Sequence, residues 1–177
     1  MLNKLTTTVL NCLSGYLIFF SNFSSAALNW GIENEINACN DYISRYQASV
    51  TATGFTLHSE YPYLGASADG MVDGVTVLEI KCPYSGRDQT ISELVAGGYK
   101  HLRYDKDNNL TINTSSRYYS QVQGEMALKK VSMCHFIVWT TREMAVIEVP
   151  FDKNYWLNTL LPALKTFYEN RIVPQLM

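Results

Sequence analysis

Asp69 is followed, after nine intervening residues, by Glu79-Ile80-Lys81. Side chains alternate faces along a strand, so Glu79 and Lys81 project to one side while Ile80 points into the core. Asp69 ends the glycine-flanked turn Leu64-Gly65-Ala66-Ser67-Ala68-Asp69-Gly70, from which the chain can fold it back toward the Glu79 face. Two carboxylates meeting there, with the Ile80 main-chain carbonyl as a third ligand, form a hard oxygen site for Mg2+, for which Mn2+ can substitute. A cation so held polarises a phosphate and lowers the pKa of a bound water, while Lys81 orients or deprotonates that water and offsets charge in the transition state. This is the chemistry of phosphodiester hydrolysis. The pattern alone is common, since an exposed strand edge can carry Glu and Lys as a solvated pair. The setting here is more particular: Leu78 and Ile80 flank the pair as core residues and Pro83 closes the strand.

Elements on both sides must position these groups. The spacing of Ile36, Cys39, Ile43 and Tyr46 predicts an amphipathic helix over 26–46 with that face on the core. Residues 49–57 read as a strand, and Val72 to Cys82, with Val77 to Cys82 continuous, as a second strand region. Ile91 to Ala96 suits a short helical turn, and Lys100 to Thr111 a hairpin turning at Lys106 to Asn109. A helix capped by Ser115 or Ser116 runs to about Lys130, with Tyr119, Val122 and Met126 on its apolar face. Met133 to Thr140 and Met144 to Val149 are strands. Phe151 to Ile172 closes the chain as a helix with Asp152 at its N-cap and Trp156, Leu160, Leu164 and Phe167 buried; Pro162 should kink or break it. Strand groups interleaved with helices imply an α/β sandwich with a mixed central sheet.

The chain's 177 residues suit one domain, and 47% hydrophobic content with twelve Tyr and seven Phe excludes a disordered segment. A net charge of -2 argues only weakly against a nucleic-acid partner, because bound cations offset carboxylates locally. Cys12, Cys39, Cys82 and Cys134 lack a CxxC pair, which argues against zinc and a disulfide framework; His58, His101 and His135 read as structural. Residues 1–25 form a short apolar segment that is signal-like or a truncated leader, and sequons stand at Asn22, Asn109 and Asn113. A buried first helix is preferred there, with an intracellular protein, nuclear or cytoplasmic, as the expectation and a secreted glycoprotein as the minority reading.

Four ordered motifs resemble the YqaJ-type viral recombinase and lambda-exonuclease group of PD-(D/E)XK nucleases. Trp30-Gly31-Ile32-Glu33-Asn34-Glu35, with Ala38 and Tyr42, is similar to the first helix motif, and Leu64 to Gly70 to the G-A-S-P-D-G turn, with Ala68 in place of Pro. Leu78-Glu79-Ile80-Lys81-Cys82-Pro83 is similar to the L-E-I-K-C-P strand, and Tyr118-Tyr119-Ser120-Gln121-Val122-Gln123 to the Y-Y-x-Q-x-Q helix. The resemblance covers 26–177 and implies a restriction-endonuclease-like (PD-(D/E)XK) fold. It implies that Glu35 approaches the metal beside Asp69, Glu79 and Ile80, and that Gln121 borders the same centre. Gln123 faces substrate or packing, and Tyr118 and Tyr119 divide between core and groove. Arg87, Lys100, Arg103 and Arg117 are candidate phosphate contacts. The function it implies is an exonuclease on double-stranded DNA ends in recombination or repair, with a homo-oligomeric ring, a trimer in the family, as partner state. A structure-specific or restriction-like endonuclease and a truncated, non-catalytic DNA-binding module are the alternatives.

Overall fold

The computed structural model describes residues 25–177. The apolar segment, Cys12 and Asn22 lie outside them. The first described helix, α1 (Ala26–Tyr46), starts at Ser25, whose hydroxyl accepts the Leu28 N–H at 3.2 Å. Its span is as expected, but its face is not. Asn34, Ala38 and Tyr42 are buried, whereas Ile36 and Tyr46 are 61% and 51% exposed. Ala38 lets the helix approach the sheet closely, and the Tyr42 hydroxyl is hydrogen-bonded to His135 Nδ1 at 2.5 Å. A small residue and a polar partner thus chose the face over the count of branched side chains.

The strand expected over 49–57 is two short pieces in different sheets, β1 (Val50–Thr51) and β2 (Thr56–Leu57), the latter paired with β3 (Gly65–Ala66). The strand region from Val72 to Cys82 is likewise a hairpin of β4 (Gly70–Val72) and β5 (Thr76–Lys81). Its turn is made by Asp73 at φ 50 and Gly74 at φ 75, the left-handed conformations that an Asp-Gly pair adopts readily. β1 lies so close to Gly70 that a Cβ there would stand 2.9 Å from Val50 Cγ1.

Next come α2 (Ile91–Ala96), entered through a Thr90–Glu93 capping box, and the hairpin of β6 (Leu102–Tyr104) and β7 (Leu110–Ile112). Asp105 pins that hairpin's turn by accepting the Asp107 and Asn109 N–H groups at 2.9 Å each. Then follow α3 (Arg117–Lys129), capped by Ser116, β8 (Met133–Trp139) and β9 (Met144–Pro150). The closing stretch comprises α4 (Lys153–Tyr155), capped by Asp152, and α5 (Leu161–Phe167), with π turns at Trp156–Leu160 and Tyr168–Ile172. Pro162 does not break it: the preceding π turn already departs from the regular ladder, so the missing N–H is carried without ending the helix.

The main sheet is five-stranded and mixed, in the order β1-β4-β5-β8-β9. β5 runs parallel to β8 and its other pairs are antiparallel. Val77, Phe136 and Val138 pack with Tyr119, Val122 and Met126 of α3 on one face, and Leu78, Ile80 and Ile137 with Ala38 and Tyr42 of α1 on the other. Odd-numbered residues of β5 therefore face α3. No helix among the described residues is long and apolar enough to cross a membrane.

Candidate active site

Glu79 and Lys81 share the α3 face of β5, as strand alternation requires, and Ile80 is buried on the opposite face. β4 begins at Gly70, opposite Leu78, so on that edge of β5 the backbone ladder stops just before Glu79-Ile80-Lys81. Asp69 takes over: its Oδ2 accepts the Ile80 N–H at 2.7 Å, which anchors the turn to the strand. The Ile80 carbonyl leaves on that same edge, since the N–H and C=O of one strand residue point to the same side.

Glu79 is 1% exposed. Its Oε1 accepts from the Lys81 ammonium and, at 2.6 Å, from Gln121 Nε2, while its Oε2 is buried with no partner. Burial pushes the Glu79 carboxyl up to about 7 against the pull of Lys81, and nearby Asp69 adds to the rise. Burial also works against the charge on Lys81, but Glu79 and Asp69 outweigh it and hold the ammonium protonated beyond the ordinary lysine range. In this arrangement Lys81 is charged and donates to Glu79. Its Nζ lies 5.0 Å from the centre of the Tyr118 ring.

Glu35 enters from α1, on the other side of the sheet. Burial raises its carboxyl pKa, Asp69 raises it further and Lys81 opposes both, so the three groups share one field. Beside them the Cys82 thiol is pushed up to about 12 by burial and then by Glu35 and Asp69, which leaves it unreactive.

Gln121 and Glu125, one turn apart on α3, meet over Glu79. Gln121 Nε2 donates to Glu79 Oε1 and, at 2.9 Å, to Glu125 Oε1. Glu125 is 2% exposed and stands outside the four motifs. The signal was its place four residues after Gln121, which puts both on one helix face.

The tyrosine pair divides. Tyr119 is buried, edge-on to Tyr155 and with its hydroxyl 3.4 Å from Asp152 Oδ2, whereas Tyr118 is the groove ring, with Arg117 5.0 Å from its centre. Gln123 is fully buried and serves packing: it donates to the Pro150 carbonyl at 2.9 Å and accepts the Asp152 N–H at 2.7 Å. Arg87 covers Tyr84 and Trp30, at 4.5 and 5.9 Å from the ring centres, while the Lys100 and Arg103 side chains are solvent-exposed near the β6–β7 hairpin. His101 is buried, its Nδ1 2.6 Å from Ser116 Oγ, and His58 Nδ1 accepts the Glu60 and Tyr61 N–H groups. Together with His135 against Tyr42, these are structural roles.

Among the described residues no three His, Cys, Asp or Glu side chains close into a ready-made metal cluster. The donor set nevertheless fits a hard divalent cation. Glu79 Oε2 is an orphaned acceptor in a region of excess negative charge, and a cation is the partner that would satisfy it.

A family model described as "YqaJ-like viral recombinase domain" matches residues 8–132. Similar solved structures include the alkaline exonuclease LHK-Exo from Laribacter hongkongensis, at 22% identity and TM-score 0.62, over 97% of this chain and 86% of that one. The same protein in complex with dAMP is similar at 22% identity and TM-score 0.63, with the same coverage. A phage-related exonuclease from Haemophilus somnus 129PT is similar at 13% identity and TM-score 0.59, over 96% and 83%. At these identities the likeness is one of fold. No curated protein matches the chain.

Proposed function

Because the chain belongs to the YqaJ-like viral recombinase domain family, we propose that it is a metal-dependent deoxyribonuclease, acting as an exonuclease on duplex DNA ends in recombination or repair. The observation that carries the reading is the buried Glu79 carboxylate, which holds Lys81 and Gln121 on one oxygen and has no partner on the other, with Asp69 anchored to the adjoining Ile80 N–H. The fold shared with solved exonucleases supports it, as does LHK-Exo's capture with dAMP.

Asp69, Glu79, the Ile80 carbonyl and Glu35 are the groups that would hold Mg2+ or Mn2+. When bound, such a cation supplies charge to the scissile phosphate and acidity to the attacking water. Lys81, kept protonated by its two carboxylate neighbours, orients that water and donates a hydrogen bond to a non-bridging phosphate oxygen, offsetting charge in the transition state. Gln121, bonded to Glu79, borders the same centre. Arg117, laid on the Tyr118 ring that Lys81 also contacts, is the basic group best placed for the DNA backbone. A DNA substrate puts the site of action in the nucleus or cytoplasm.

Incubation with end-labelled linear duplex and closed circular duplex tests this directly. Linear DNA should be degraded with magnesium or manganese and spared in EDTA. Hydrolysis by thoroughly chelated protein would reject the carboxylate–metal mechanism, and closed circles cut as fast as linear DNA would make the enzyme an endonuclease. Light scattering of the active protein should give a multiple of the 20.1 kDa chain, three-fold if a ring forms, and a strictly monomeric mass would exclude the ring.

A further inference from the structure

We propose that Glu125 is a positioning residue that locks the Gln121 carboxamide with its oxygen turned into the cleft. A carboxamide has two donor hydrogens and one acceptor oxygen. Gln121 gives both hydrogens to carboxylates, at 2.6 Å to Glu79 Oε1 and at 2.9 Å to Glu125 Oε1. Glu79 Oε1 also accepts from the Lys81 ammonium, so a flipped amide would set its oxygen against an acceptor, and this pairing fixes the amide's orientation. Gln121 Oε1 accepts no hydrogen bond from any described residue, and it is not among the sealed, unpartnered atoms. It remains an acceptor open to whatever enters the cleft, a water or a nucleotide N–H.

Glu125 sits where stability alone would select a hydrocarbon. Its neighbours Val122 and Met126 are fully buried, and its own Oε2 is buried without a partner. Burial, and then Glu79, push its carboxyl well above the ordinary range, yet the neutral acid still offers a carbonyl oxygen to Gln121. Replacing a buried ionisable group by an apolar one of like shape is often neutral or stabilising. The bond to Gln121 is the return for keeping it.

The consequence for turnover rests on the nuclease reading, and the placement of the amide does not, so the test reads both. In the full chain, Glu125→Gln retains a carbonyl acceptor and should keep kcat near that of the unaltered protein. Glu125→Met should lower kcat roughly 10–100-fold, the usual scale for a lost supporting contact, with KM little changed and Tm equal or higher. By NMR, the Gln121 side-chain amide hydrogens should exchange slowly with solvent in the unaltered protein and in Glu125→Gln, and rapidly in Glu125→Met. The proposal is overturned by full kcat in Glu125→Met, by parallel loss of kcat and Tm, or by a Gln121 amide that stays protected in that variant. Were the unaltered protein inactive on every DNA, the nuclease reading would fall while amide exchange still decided the placement.

Discussion

Lys81 and Asp69 stand on either side of the same carboxylate and should fail differently. Lys81 contacts Glu79 and the Tyr118 ring, so Lys81→Ala should largely spare metal binding and remove most turnover. Asp69→Ala should weaken metal binding itself and also free the Ile80 N–H. Calorimetric titration with magnesium or manganese decides it, and equal affinity in Asp69→Ala and the unaltered protein would remove Asp69 from the ligand set. His101 offers a pH-dependent counterpart. Burial, then Arg117 and Lys100, lower its pKa to about 4, so it is neutral when folded and protonates near 6.5 when unfolded. The unfolded chain then binds more protons as pH falls through 6.5 toward 4, and stability is lost across that window, by about 2 kcal/mol at pH 5 and about 3 kcal/mol at pH 4. His101→Asn, which keeps a polar group beside Ser116, should lose less between pH 7 and 5 in urea unfolding; identical pH profiles would refute the assignment. At this scale the sequence was informative where a strand's alternation dictated geometry, as for Glu79, Ile80 and Lys81. It was silent where the outcome depended on helix rotation, which alone separates Tyr118 from Tyr119 and brings Glu125 under Gln121.

The helices and strands carry their own dependence on single side chains. Gln123 joins α3 to the segment between β9 and α4, donating to Pro150 and accepting from Asp152. Gln123→Leu strands both backbone groups and should cost about 1–3 kcal/mol. Urea denaturation measures it, and an unchanged midpoint would show the bonds to be replaceable by water. Long elements such as α3, β8 and β9 were readable because many residues share one pattern. The short ones were not. Residues 49–57 have strand composition, but two-residue pairings with partners in different sheets leave no periodicity to detect. The Asp73-Gly74 turn was visible as a dipeptide and was merged into the strand by the apolar residues around it. The face of α1 was misread because Asn34 and Tyr42 are buried there while Ile36 is exposed, a reversal set by the sheet they meet.

Over the whole molecule, a net charge of -2 coexists with a local pair of cations, Lys81 and Arg117, on the Tyr118 ring, so charge sum and local character are separate properties. The central sheet joins a local hairpin, β4–β5, to a distant one, β8–β9, through the parallel β5–β8 pairing. Between Lys81 and Met133 the chain must first travel through α2, β6, β7 and α3. Closing that path costs loop entropy before any contact compensates it, so the two hairpins should assemble ahead of their junction. Chevron kinetics expose the order: Gly74→Ala, in the local turn, should mainly slow refolding, and Ile137→Val, in β8, should mainly accelerate unfolding. The reverse pattern would mean that the parallel seam nucleates the fold. With hairpins first, Glu79 is laid out early on its strand but meets Gln121 only when the crossover shuts, so the proposed site is completed in the last kinetic phase.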